Sequence, residues 1–153
     1  MSTFNTSIPG SSVTSVAGVI DPDAYPPGTY TTDWISLSTW GTLLALVLAG
    51  DLGAAATLDA KMEQATSASG TGAKEVTAKA ITSLTKAGGD DNKQALINLR
   101  ADDLDVNAGY THARLSLTIA TAACDAGAVV LGLNPRYGTA AANDLATVDE
   151  IIP

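Results

Sequence analysis

The chain has 153 residues, enough for one domain with a real core, and 46% of them are apolar, but aromatics reach only 5%, so any core is aliphatic and alanine-rich. Its charge is −8, from eight Lys and Arg against sixteen Asp and Glu, and the basic residues nowhere cluster, which excludes the electrostatic footprint of a nucleic-acid binder. One cysteine, Cys124, excludes an internal disulfide and a cysteine-based zinc site.

The opening "MSTFNTSIPGSS" lacks the basic and apolar regions of a secretory signal, and the longest apolar run, "LLALVLA", is too short to span a bilayer. The expectation is a soluble protein, made in a reducing cytoplasm or indifferent to redox state, with neither nucleic acid nor membrane as a partner.

Residues 1–29 are rich in Ser, Thr, Gly and Pro, and their apolar residues follow no period. Two readings stand: a disordered tail, or an extended arm laid on a partner with Phe4, Ile8, Val13, Val16, Val19 and Ile20 as anchors. Pro22, Pro26 and Pro27 favour extended chain in either case.

From Tyr30 onward, short runs are punctuated by Gly, Asp and Asn. "DWISLS" alternates, with Ile35 and Leu37 on one face and Trp34, Ser36 and Ser38 on the other. "LLALVLAG" is apolar throughout, as expected of a strand buried on both sides. "ATLDAKMEQ" puts Leu58, Ala60 and Met62 opposite Thr57, Asp59, Lys61 and Glu63.

The middle is ambiguous. Residues 54–65 and 74–87 contain many good helix formers, and "KQALINLRADDLD" fits either period. Strands with a short helical turn over residues 101–105 are the favoured reading. Further on, "THARLSLTIA" directs Ala113, Leu115, Leu117 and Ile119 inward, and "AGAVVLGLN" is a second wholly apolar run. Period two with turn signals between runs indicates an antiparallel β-sandwich or barrel over residues 30–138. Residues 139–153 leave the pattern as a tail that either frays or docks Val148, Ile151 and Ile152 on a neighbour.

No motif carries chemistry. "SGTGAK" has the residue types of a phosphate loop at the wrong spacing, and Glu75 stands where a magnesium-binding Ser or Thr belongs. It reads as a loop between strands. "DDLDVNAG" starts like a calcium loop, but Gly109 falls one place late and Arg114 occupies the bidentate Glu position. It and "GGDDN" read as turns. His112 has no second ligand nearby in sequence, and Cys124 has no identifiable base. Trp34 and Trp40 flank one strand, either as core packing or as contact residues. The expectation is no enzyme, no cofactor and no metal.

The order of the pieces resembles a known family. "TDWISLSTWGTLLALVLAGDLGAAATLDAKMEQATSASGTGAKEV", then "INLRADDLDVNAGYTHARLSLTIATA", then "AGAVVLGLNPRYG" are similar to small proteins encoded among the head genes of tailed phages. The "EQATSASGTGAK" strand end, the "DLDVNAGY" turn and the closing "NPRYG" carry the likeness, which covers roughly residues 32–138 and leaves both termini outside.

The resemblance implies a cement, or decoration, protein of the bacteriophage virion, a jelly-roll-like all-β sandwich, to which the residues outside it add extended N- and C-terminal arms. It implies binding to the major capsid protein on the outer capsid surface and assembly with copies of itself, as dimers or trimers on capsid symmetry axes. It carries no catalytic residues. The contact residues expected are Phe4, Ile8, Val13, Val16, Val19, Trp34, Trp40, Val148, Ile151 and Ile152. A head-to-tail adaptor or tail component, and a glycan-binding module using Trp34, Trp40, Tyr30 and Tyr110, are the competing readings.

Overall fold

A computed structural model describes residues 7–152. Among the described residues, ten strands form two antiparallel sheets. Sheet A is ordered β1 (Thr14–Tyr25), β10 (Cys124–Pro135), β4 (Trp40–Leu52), β8 (Gln94–Arg100). Sheet B is ordered β2 (Gly28–Thr31), β9 (His112–Ala120), β5 (Thr57–Ala65), β6 (Lys74–Ala80), with the two-residue strands β3 (Ile35–Ser36) and β7 (Leu84–Thr85) pairing β9 and β5.

The pairing is nested. The first long strand pairs with the last (β1 with β10), the second with the second-last (β2 with β9), then β4 with β8 and β5 with β6. A long hairpin rolled up on itself gives this order, which is the jelly roll. The fold expected from the family likeness is therefore the fold observed.

The alternating segments behave as period two requires. Leu58, Ala60 and Met62 on β5 and Ala113, Leu115, Leu117 and Ile119 on β9 are buried between the sheets. They meet Leu43, Ala45, Val47 and Ala49 of β4 and Val130, Ala128 and Ala126 of β10 from the opposite side. The ambiguous middle resolves into β5, β6 and β8, and the helical turn is a pair of 3-10 turns at Ala101–Asp103 and Val106–Ala108. Helix-forming composition loses here because each segment has a sheet neighbour to pair with, and pairing outweighs intrinsic preference.

Two expectations need correction. Of the arm expected over residues 1–29, residues 14–25 are β1 and residues 28–29 open β2, both integral to the sandwich. Their period was hidden by two register shifts, between Val16 and Gly18 and between Ile20 and Asp23, since each bulge reverses the alternation. Pro22 is tolerated because it sits in the second shift of an edge strand. Ile20, expected as an arm anchor, is a core residue.

The C-terminal segment also belongs partly to the domain. Ala140 is buried under the sandwich and its carbonyl accepts a hydrogen bond from Ser15 Oγ. Asp144 Oδ1 accepts the Val16 amide at 2.8 Å, and the Leu145 amide donates to the Val16 carbonyl at 3.0 Å. The segment thus satisfies backbone groups on the outer edge of β1 that a second chain would otherwise find open.

Candidate functional site

The residues with chemical potential come first. His112 lies on the outer face of β9 with Nδ1 2.9 Å from Thr111 Oγ1. Cys124 is buried, and burial pushes its thiol above the ordinary value, aided by the carboxylates of Asp125, Asp51 and Asp91. A thiol held protonated in this way is a poor nucleophile.

The carboxylates of "DDLDVNAG" serve their own surroundings. Asp103 Oδ2 accepts the Arg100 amide and pairs with Lys79, Asp102 pairs with Arg100, and Asp105 pairs with Lys74. Among the described residues, no group of three or more His, Cys, Asp or Glu is placed to hold a metal ion. "GGDDN" is a turn in which Asp90 Oδ2 accepts the Thr85 amide and Asp91 Oδ1 accepts the Leu52 amide.

The glycine-rich stretch is the β5–β6 hairpin loop, residues 66–73. Gly70 has φ +83°, and a Cβ there would lie 2.6 Å from Trp34 Nε1. The Tyr110 hydroxyl donates to the Gly72 carbonyl at 2.9 Å. The glycines let two aromatic rings close over the backbone, so their purpose is packing.

The aromatic platform of the glycan reading is not assembled. Trp40 is only 3% exposed and lies in the core, its ring so close to Gly132 that a Cβ there would meet it at 2.4 Å. Tyr30 packs against Tyr25 at a tilt of 44°, with centroids 4.3 Å apart, while Trp34 and Tyr110 bracket the hairpin loop. Trp40 therefore offers a partner no surface, and Trp34 is half-buried with the Arg114 guanidinium 4.4 Å from its ring centroid.

What remains is a contrast between the two outer faces. Sheet B is charged outside: Arg114 Nε donates to Glu63 Oε2 at 2.8 Å, and Lys61 pairs with Glu75 at 3.4 Å. Opposite charges on neighbouring strands suit a face left in water.

Sheet A is apolar outside. The register places Val19, Val129, Leu46 and Leu96 in one row across all four strands. The next row is Val16, Leu131, Leu44 and Asn98. Gly127, Leu48 and Gln94 extend the face at one end, with Pro22 lying over Gly127. Leu96 is 59% exposed and Leu48 is 40% exposed.

This is where "LLALVLAG" and "AGAVVLGLN" sit. The first was expected to be buried on both sides, but the single chain covers only one side of each. Their outward halves form a continuous apolar patch, a feature of surfaces that meet another molecule.

Of the other expected contact residues, Val16 and Val19 lie on this face as strand residues, and Ile8 and Val13 are exposed near the chain start. Val148 is half-buried, Ile151 and Ile152 are exposed, and Phe4 lies outside the described residues. Leu44, Leu46, Leu48, Leu96, Val129 and Leu131 were not anticipated as contacts. Their signal was present in the unbroken apolar runs, which pointed to two-sided burial.

No family model matches the chain, and no curated protein does. Among solved structures it is similar to a chain of the empty virus-like particle of Cowpea Mosaic Virus (TM-score 0.44, 10% identity, 89% of this chain and 87% of that one). A chain of naturally occurring empty particles of the same virus is similar too (TM-score 0.41, 11% identity, 86% and 88%). Both likenesses are too distant to carry a function to this chain. Among the described residues, no helix is long and apolar enough to cross a membrane.

Proposed function

We propose that this chain is a structural virion protein: a cement, or decoration, protein on the outer surface of a tailed-phage capsid. It is made in the bacterial host cytoplasm and stabilises contacts between major capsid subunits. The observation that carries the reading is the apolar outer face of sheet A, set in a jelly roll whose polar residues are used in holding its own loops and strands.

Such a protein works by surface rather than by chemistry. The buried thiol, the turn-bound carboxylates and the lone histidine each have a local structural account, while the patch on sheet A has none within the chain. The sequence likeness to head-gene proteins supplies the finer identity, and the acidic balance suits a position outside the shell, away from packaged DNA.

The test is co-sedimentation of the purified chain with phage heads that lack it. Binding that saturates at a simple ratio to the shell subunits is expected. Failure to bind both expanded and unexpanded heads would remove the cement reading.

A further inference from the structure

We infer that the "NPRYG" corner, residues 134–138, holds a carboxylate-recognition site, whose ligand is an Asp or Glu side chain set beside an apolar residue on a partner protein. The corner lies past the apolar face of sheet A, where β10 ends against the turn between β3 and β4. The inference rests on the proposed function only in taking that partner to be the shell protein.

The pairing of charges singles out one residue. Every lysine pairs with a carboxylate, and so do Arg100 and Arg114. Among the described residues, Arg136 alone of the basic side chains has no acidic partner, in a chain with sixteen Asp and Glu to eight Lys and Arg. With acids at twice the number of bases, an exposed and unpaired guanidinium is the exception on this surface.

Arg136 is also held in place. Its amide donates to the Thr39 carbonyl at 2.9 Å, and its Nε donates to the Leu37 carbonyl at 3.1 Å. The corner before it is tied down in turn: Asn134, at φ +52°, donates from Nδ2 to Thr42 Oγ1 at 2.8 Å. With Nε occupied, the guanidinium retains the fork made by its two terminal nitrogens. The parallel N–H groups of that fork match the two oxygens of a carboxylate. A side chain already oriented loses less freedom on binding than a loose one.

Arg136 lines a cavity of about 410 Å³ together with Gly41, Thr42, Arg100, Asp102 and Val106. Arg100 is the last residue of β8 and Arg136 follows the last residue of β10, so the two arginines flank the start of β4. Asp102 is the acid of this lining, and Arg100 already holds it at 2.9 Å. That pair is exposed on both sides and therefore weak, so Arg100 can share its remaining N–H groups with a ligand. Two guanidiniums against one carboxylate leave the cavity cationic, and exposed Val106 gives it an apolar wall. The ligand that fits is a monoanion beside an apolar group. A phosphate dianion fits less well, because Asp102 and the net charge of −8 oppose each added negative charge.

The experiment follows the arginine Nε–Hε signals of the full chain by NMR during titration with the blocked dipeptide N-acetyl-Glu-Leu-amide. The Arg136 and Arg100 signals should shift along a saturable curve. Arg114, which lies over Trp34 and pairs with Glu63, should not move. The isosteric Gln-Leu peptide should move none of them. Arg136→Gln and Arg136→Lys, read at the Arg100 signal, should each weaken binding about 10-fold, the second because an ammonium lacks the fork. Arg136 is exposed, so both variants should give the wild-type circular-dichroism spectrum.

No shift with the Glu peptide, equal shifts with the Gln peptide, tighter binding of inorganic phosphate, or wild-type affinity in Arg136→Lys would each overturn the inference. In co-sedimentation, Arg136→Gln should bind heads about 10-fold more weakly than the wild type. Equal binding of heads by this variant would also overturn the inference, and would leave the proposed function intact. A wild type that binds the Glu peptide but ignores heads would uphold the carboxylate site and remove the proposed function.

Discussion

Trp40 and Gly132 form the tightest steric match in the core. The indole occupies the space where any side chain at 132 would begin. Gly132→Ala should therefore destabilise the fold by about 1–3 kcal/mol through overpacking, and Trp40→Ala by about 3–5 kcal/mol through the cavity left behind. Urea denaturation of the two variants measures both. Gln64 makes a polar counterpart. It is 2% exposed, and its Oε1 accepts the Asp105 amide at 2.8 Å, anchoring the "DDLDVNAG" turn to β5. Gln64→Leu should cost about 1–3 kcal/mol, because that amide loses its acceptor. Core packing was one of the two sequence readings of Trp40, and the structure decides for it; Gln64 was not legible, since a Gln at a strand end looks like a surface residue until the partner strand is known.

The turn after β7 responds to pH through Asp90. Its carboxyl is held below the ordinary value chiefly by the Thr85 amide, against a smaller opposing effect of burial, with Lys93 adding to the lowering. A depressed carboxylate contributes stability that is present above the unfolded value of about 3.9 and is lost as pH falls through the lower folded value. Asp90→Asn should therefore remove part of the acid sensitivity of this turn, read as amide exchange at Thr85 between about pH 2 and pH 5. The termini behave as elements in the same sense. Deleting residues 1–28 removes the whole of β1, so the truncated chain should fail to fold instead of losing an arm. Deleting residues 139–153 uncovers the β1 edge and the core beneath Ala140, and the expected result is a lower melting temperature with aggregation. Clean alternation made β5 and β9 readable in sequence, and the turns were readable from their Gly, Asp and Asn. β1 was not, because two bulges in twelve residues break the period on which such reading depends.

At the scale of the molecule, the two sheets divide the work. Sheet B turns a ladder of ion pairs to solvent, and sheet A keeps an apolar face that the chain itself leaves uncovered. The sequence held this division in plain form, as alternating strands for sheet B and unbroken apolar strands at the centre of sheet A. What it lacked was the register that lines up Leu46 with Val129 and Leu96, and so the placing of those side chains on a face the chain leaves uncovered. A structural role in a virion requires the protein to be present in stoichiometric amounts. The most direct measurement is the copy number of this chain per purified virion, by quantitative mass spectrometry against the major shell protein. The account predicts a count in the hundreds, at a simple fraction of the shell subunits; a count of about a dozen would assign the chain to the neck or tail, and absence from the particle would contradict the account.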